Sequence, residues 1–318
     1  MQAVILSQGK LYFQKEFPQP DPEPGEALIK VNLTGICATD LEMVKGYKQG
    51  FQGILGHEFV GVVAQASEPS WQGKRVVGSI NIGCGTCSIC RQYGPEHCLN
   101  RRVLGILDKH GAFAEYLTLP NQNLLVVPDH VDDETAVFTE PLAAALRIRE
   151  QVTLKPGGKT AVVGPGRLGM LVGQVLALDG TDVMMLGRSE RSLELPQNLG
   201  LSTGLAESCA EGSFEVVVDT TGNDAGLEQA LRLVQPQGLL ILKSTFAGKS
   251  HLDLTKLVVA EIQVVGSRCG PFAPALELLA RGAVNVKPLI DGRYHFSQAV
   301  PAFTHASQRG VRKILLHP

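Results

Sequence analysis

Residues 159–178 read KTAVVGPGRLGMLVGQVLAL. A short β-prone apolar run leads into Gly164-x-Gly166-x-x-Gly169, and apolar residues at helical spacing follow. A bare G-x-G-x-x-G string says little. Between a strand and a helix it has a mechanical reason: the glycines allow a tight turn, close approach of a pyrophosphate to the backbone, and close helix–strand packing. The first helical turn then offers free N–H groups to the phosphates. Gly164, Gly166, Arg167, Leu168 and Gly169 are therefore expected to bind a dinucleotide; the bland alternative is a glycine-rich turn with no ligand.

Working outward, strand-like runs TAVVG (160–164), DVMML (182–186), FEVVVDT (214–220) and LLILKS (239–244) alternate with helix-forming stretches. That alternation implies βαβ units and a parallel sheet, an α/β fold class. The end of the second strand selects the cofactor. A chain that reads the ribose 2′-hydroxyl of NAD places Asp or Glu there. Here DVMMLGRSERS (182–192) has Gly187, Arg188 and Ser189, with no carboxylate before Glu190. A guanidinium suits a 2′-phosphate, so NADP(H) is expected in preference to NAD(H). The competing reading is an arginine-rich surface turn. Thr221 in VVDTTG (217–222) and Ser244, between Lys243 and Thr245, are expected at the cofactor too.

Before this region the pattern differs. Strands such as EALIKVNL (26–33) and EFVGVVAQA (58–66) alternate with Pro/Gly turns, including PQPDPEPGE (18–26), until PDHVDDETAVF (128–138). After it come a helix-like APALELLARG and a final strand-like RKILLHP. The organisation expected is 1–140 β-rich, 141–269 dinucleotide-binding and 270–318 a C-terminal segment. With 318 residues, 44% hydrophobic and 19% charged, the chain has material for two cores. A net charge of −2 gives no global field for nucleic acid or anionic membrane, and no apolar run reaches the roughly 18 residues a span needs. The start, MQAVILSQGK, reads as a first strand and not a signal peptide. A cytoplasmic protein is expected.

Four of the seven cysteines crowd into GCGTCSICRQYGPEHC (83–98) as C-x2-C-x2-C-x7-C. Tight hooks let thiolates converge, and four close a tetrahedral shell around zinc. An iron–sulfur run would bring the fourth cysteine after three residues, with proline next; here it follows seven, and Leu99 is next. A nucleic-acid ribbon would want more basic surroundings than Arg91, Arg101 and Arg102 provide. Cys84, Cys87, Cys90 and Cys98 are therefore expected to hold a structural zinc in a lobe at about 83–99. With four protein ligands that site has no open position for chemistry.

GICATD (35–40), GHE (56–58) and TEPLAAAL (139–146) are sparser. Cys37 could be a buried apolar residue, His57 a core histidine, and Glu140 a helix N-terminal carboxylate. Beside a dinucleotide fold they supply a thiolate, an imidazole and one or two carboxylates, the donor set of a catalytic zinc with an open position.

On CATD, GHEFVG, the cysteine lobe, TEPLAAAL, VVGPGRLG and VVDTTG, taken in that order, the chain resembles the zinc-dependent medium-chain dehydrogenase/reductases, the alcohol and polyol dehydrogenase superfamily. The resemblance implies a GroES-like β-rich catalytic domain, rejoined by the C-terminal segment, and a Rossmann domain. It implies two zinc ions per chain, one catalytic and one structural. Cys37 and His57 become catalytic-zinc ligands, with Glu58 or Glu140 as the third. Asp40 would orient His57, and Thr39 would pass on the substrate proton. Many relatives carry histidine where this chain has Glu42, so a carboxylate, a water or no further group ends the relay. The activity implied is hydride transfer between NADP(H) and a small alcohol or polyol, or its aldehyde or ketone. TEPLAAAL favours the polyol form, and a homodimer or homotetramer is implied. Two alternatives stand beside it: a zinc-free NADPH quinone or enoyl reductase on the same fold, and a non-enzymatic NADP-binding protein. Arg268 is assigned no role.

Overall fold

The computed structural model describes residues 1–245 and 252–318. The chain divides into two compact units, Met1–Glu140 with Phe272–Pro318, and Pro141–Pro271.

The first unit is built on a seven-stranded sheet whose centre is Glu26–Ile36. EALIKVNLTGI is buried through both of its ends, and Lys30 is its only exposed residue. It pairs antiparallel with Glu58–Ala66, with Tyr116–Pro120 and with the last strand, Lys313–His317. Two register shifts against Glu58–Ala66, at Leu28/Ile29 and Val31/Leu33, bend it. Antiparallel pairing joins the end of one strand to the start of the next. Gly35 faces Glu58 on one side and Leu315 on the other, so Cys37, His57–Glu58 and Lys313 come to one corner of the sheet.

The C-terminal segment enters this unit as a strand–helix–strand crossover. Ile290–His295 and Lys313–His317 are parallel, joined through the helix Ala299–Ala306. Phe296, Phe303, Ile314 and Leu316 bury against Val4, Ile36, Leu55 and Phe113 from the N-terminal half. Phe113 and Phe303 meet edge to face at 5.8 Å. The cysteine lobe rises from a two-stranded base, Asn81–Ile82 with Arg102–Val103, and contains the short helix Ser88–Tyr93.

The second unit is a six-stranded, all-parallel sheet. In spatial order its strands are Ser202–Leu205, Asp182–Gly187, Lys159–Val163, Phe214–Asp219, Val234–Leu242 and Gln263–Gly266. Numbered within the unit this is 3-2-1-4-5-6, the doubly wound dinucleotide-binding order, whose direction reverses between Lys159–Val163 and Phe214–Asp219. Helices Arg167–Ala177, Glu190–Asn198 and Asp224–Leu233 connect successive strands. The fold class is α/β, a β-rich unit with a mostly antiparallel sheet and a doubly wound parallel-sheet unit.

Candidate active site

Cys37 is the N-cap of the helix Ala38–Val44, reached one residue after the central strand ends. Asp40, fully buried, turns back into the corner. Its Oδ2 accepts the Cys37 N–H at 2.8 Å and its Oδ1 the Gly56 N–H at 3.3 Å. The same Oδ1 lies 3.3 Å from His57 Nδ1, so one carboxylate ties the Cys37 turn to the GHE turn and fixes the imidazole's orientation. Cys37, His57 and Glu58 each offer a donor atom, and these lie within 4.8 Å of one another.

The electrostatics favour a cation there. Burial alone would depress the His57 pKa, but the charges of Asp40 and Cys37 outweigh it and hold it well above its usual value. Burial pushes the Glu140 carboxyl up to about 7; His57 and Lys313 oppose the shift, while Glu58 and Asp40 add to it. Glu58 Oε1 is buried with no hydrogen-bond partner among the described residues, although its other oxygen is bound. A thiolate, an imidazole and an orphaned carboxylate oxygen are donors that fit zinc. Glu140 stands beside this trio rather than within it. Thr39 Oγ1 lies 3.9 Å from Cys37 Sγ.

Lys313 is the site residue that the sequence reading missed. Its ammonium is 2.5 Å from Glu58 Oε2 and 5.4 Å from the centre of the Phe138 ring, with a side chain 4% exposed. The signal was a lone lysine opening the apolar strand KILLH, a pattern equally expected of a solvent-facing strand end.

The lobe gathers Cys84, Cys87, Cys90 and Cys98. Sγ atoms of Cys84 and Cys90, and of Cys87 and Cys98, are 3.9 Å apart. Thiolates held at about 2.3 Å around a tetrahedral zinc stand about 3.8 Å apart, so the set fits the ion. Backbone N–H groups point at the sulfurs, Cys84 to Cys98 and Cys90 to Cys87. The N–H groups of Thr86 and Cys87 pull the Cys84 thiol down to about 5, while burial and the Cys98 thiol push Cys90 up to about 12.

In the second unit, Gly164 turns with φ +100°, and Gly166 opens the helix Arg167–Ala177. A Cβ on Gly169 would stand 2.0 Å from Gly164 O, so only glycine packs there. A Cβ on Gly166 would meet nothing within 4 Å: the turn is bare on the side where a pyrophosphate must approach. Thr220 Oγ1 holds the turn from the neighbouring strand, within 2.8 Å of Val163 O and 2.7 Å of Gly164 O. The Gly222 N–H donates to Ser244 Oγ at 3.0 Å, bringing Thr221 and Ser244 into one cluster at the sheet's carboxyl ends. Arg188 and Ser189 are exposed at the end of Asp182–Gly187. Arg167 and Leu168 occupy the first helical turn.

The geometry defines a protein with two cysteine-containing donor clusters that could each hold a metal ion, and a glycine turn of the dinucleotide-binding kind. Known proteins give that class a family. Residues 23–129 match the alcohol dehydrogenase GroES-like domain, and residues 168–281 match the zinc-binding dehydrogenase domain. A sorbitol dehydrogenase of Halalkalibacterium halodurans is 30% identical, covering 100% of this chain and 99% of its own. A D-arabitol-phosphate dehydrogenase of Enterococcus avium is 29% identical over 93% and 91% of the two chains. Among solved structures, a zinc-binding dehydrogenase of Sinorhizobium meliloti bound to NADP has a TM-score of 0.91 at 28% identity, covering 100% and 99%. An rspB alcohol dehydrogenase of Escherichia coli with NADH has 0.89 at 25% identity, covering 100% and 99%. The chain belongs to the zinc-dependent medium-chain dehydrogenase/reductase superfamily and is an alcohol-dehydrogenase-like oxidoreductase acting on CH–OH groups. Among the described residues no helix is long and apolar enough to cross a membrane.

Proposed function

We propose that this chain transfers hydride between NADP(H) and a small alcohol or polyol, or the matching carbonyl compound, at a zinc site formed by Cys37, His57 and Glu58. The observation that carries the reading is the convergence of those three donors, with Glu58 Oε1 buried and otherwise unpartnered. A zinc ion there would supply Lewis acidity to a substrate oxygen, and the nicotinamide the hydride chemistry.

The chain's own groups do the rest. Asp40, with Oδ1 3.3 Å from His57 Nδ1, orients the imidazole electrostatically. Thr39 Oγ1, beside Cys37 Sγ, is the hydroxyl placed to take or return the substrate's O–H proton. Glu140, whose carboxyl burial pushes up to about 7, stands at the edge of the cluster. The bare Gly166 turn receives the pyrophosphate, and Arg188 with Ser189 the 2′-phosphate. A Cβ at Gly187 would stand 2.3 Å from Ser192 Oγ and 2.8 Å from Leu193 Cδ2, so the place of an NAD-reading carboxylate is closed by packing. The four-cysteine lobe holds a second, structural zinc.

We further propose a homodimer or homotetramer assembled through the exposed edge of the parallel sheet, in a thiol-reducing compartment. The polyol preference draws on the sorbitol and arabitol-phosphate relatives.

A panel of alcohols, polyols and carbonyl compounds, assayed with both cofactors alongside metal analysis, tests the function. The expected result is two zinc ions per chain, NADP(H)-dependent turnover, and loss of turnover in Cys37→Ser and His57→Ala with NADPH binding retained. Normal rates in those variants would overturn the assignment of the site.

A further inference from the structure

Glu58 has two carboxylate oxygens with opposite fates. Oε1 is buried and without a hydrogen-bond partner among the described residues, and one oxygen of this carboxylate belongs to the Cys37–His57 cluster. Oε2 lies 2.5 Å from Lys313 Nζ in a pair whose side chains are 0% and 4% exposed. Both charges have been taken out of water, and a buried pair of this kind is weak evidence for stability in itself. A role in holding the carboxylate's geometry accounts for it better.

The room for the pair comes from Gly35. This residue faces Glu58 across the sheet, and a Cβ on it would stand 2.3 Å from Glu58 Oε2 and 3.3 Å from Lys313 Cδ. Gly35 has no positive φ, so its backbone would accept alanine; only the space forbids it. The Phe138 ring, 5.4 Å from Nζ, forms a further wall of the ammonium's cage.

We propose that Lys313 is a positioning residue that withholds Oε2 of Glu58 from the metal, so that Glu58 enters the cluster through Oε1 alone. The inference rests on the reading of Cys37, His57 and Glu58 as metal ligands. Its consequence is functional. A carboxylate free to bind through both oxygens fills the position that a catalytic zinc must leave for substrate. The final strand, which carries Lys313, thereby helps to keep that position open.

The test uses the full chain loaded with cobalt(II) in place of zinc. Subtracting the spectrum of His57→Ala, which retains the four-cysteine lobe, isolates the visible band of the Cys37–His57–Glu58 site. Fewer ligands give a more intense band, so in Lys313→Met the site band is expected to weaken about twofold or more as Oε2 joins. Lys313→Arg should restore it. Gly35→Ala, which keeps the ammonium and removes the space, should weaken it too, and it carries the test if Lys313→Met does not fold. The lobe's own cobalt band reports folding in each sample. A Lys313→Met site band superimposable on the unsubstituted protein's would overturn the proposal and leave the ligand assignment standing. No site band in the unsubstituted protein would overturn both.

Discussion

Asp219 ends the strand Phe214–Asp219 with a residue only 3% exposed, and its Oδ1 accepts both the N–H and the hydroxyl of Thr221, at 3.0 and 2.7 Å. Burial raises its pKa above 3.8, with Thr221 opposing the shift. A raised acid binds more protons folded than unfolded in the window between its two pKa values. Stability contributed by this group is therefore present below 3.8 and lost as pH rises through the folded value. Asp219→Asn keeps the acceptor and removes the charge. Urea midpoints against pH should show the variant gaining on the parent as pH rises from acid to neutral; a constant difference would contradict the account. Arg188 is the corresponding residue for selectivity. If it holds the 2′-phosphate, Arg188→Ala should lower the NADPH-over-NADH ratio of kcat/KM about tenfold, the scale of a hydrogen bond to a charged group. An unchanged ratio would reduce it to a surface turn. At this scale chemistry and spacing pointed to Cys37 and His57 with either Glu58 or Glu140; the cluster of donor atoms contains Glu58, a choice the sequence left open. Lys313 was not legible, because its partner is 255 positions away and a lysine heading an apolar strand looks ordinary. Nor did the motif show that Thr220, next to Thr221, is the residue clamping the glycine turn.

Among the elements, the cysteine lobe depends most on something other than packing. Its helix Ser88–Tyr93 has six residues and none buried, far below the roughly 12 residues at which an isolated helix becomes marginal. Of the four cysteines only Cys98 is buried. With a structural zinc in place, Cys98→Ala should lose one zinc per chain and become sensitive to proteolysis within 83–99. Turnover should fall far less than in Cys37→Ser. Full zinc content with unchanged proteolysis would contradict a metal-held lobe. The glycine turn is the opposite case, held by close packing and by the Thr220 hydrogen bonds, with no metal. Gly169→Ala places a Cβ 2.0 Å from a backbone carbonyl that cannot swing aside, and overpacking of this kind costs about 1–3 kcal/mol. Thermal unfolding should show that loss together with weaker NADPH binding, whereas an unaltered midpoint would mean that the turn yields. The parallel strands were readable because each is an apolar run between a helix and a glycine or charged turn. The two shifts of register in Glu26–Ile36 were not, since a bulge depends on the partner strand and leaves no periodicity of its own.

For the molecule as a whole, what sequence could not supply was pairing at a distance. RKILLHP reads as a strand, but nothing in it says that Ile314, Leu315 and Leu316 lie against Ile36, Gly35 and Thr34. The outer surface poses a related question. Gln263–Gly266 closes one side of the parallel sheet, with Val264 38% exposed. The adjacent helix Leu254–Val259 shows Leu254, Val258 and Val259 at 67, 76 and 79% exposure. An open strand edge beside exposed apolar side chains is a hazard that proteins ordinarily cover or charge. A second copy related by a two-fold axis would cover both features, since the same patch serves each partner. On the proposed assembly, Val258→Glu with Val264→Glu should convert the dimer to monomer in sedimentation velocity, because a two-fold contact through this patch would then bury only like charges. NADPH binding per chain should persist, as the glycine turn is untouched. An unchanged sedimentation coefficient would place the assembly surface elsewhere on the molecule.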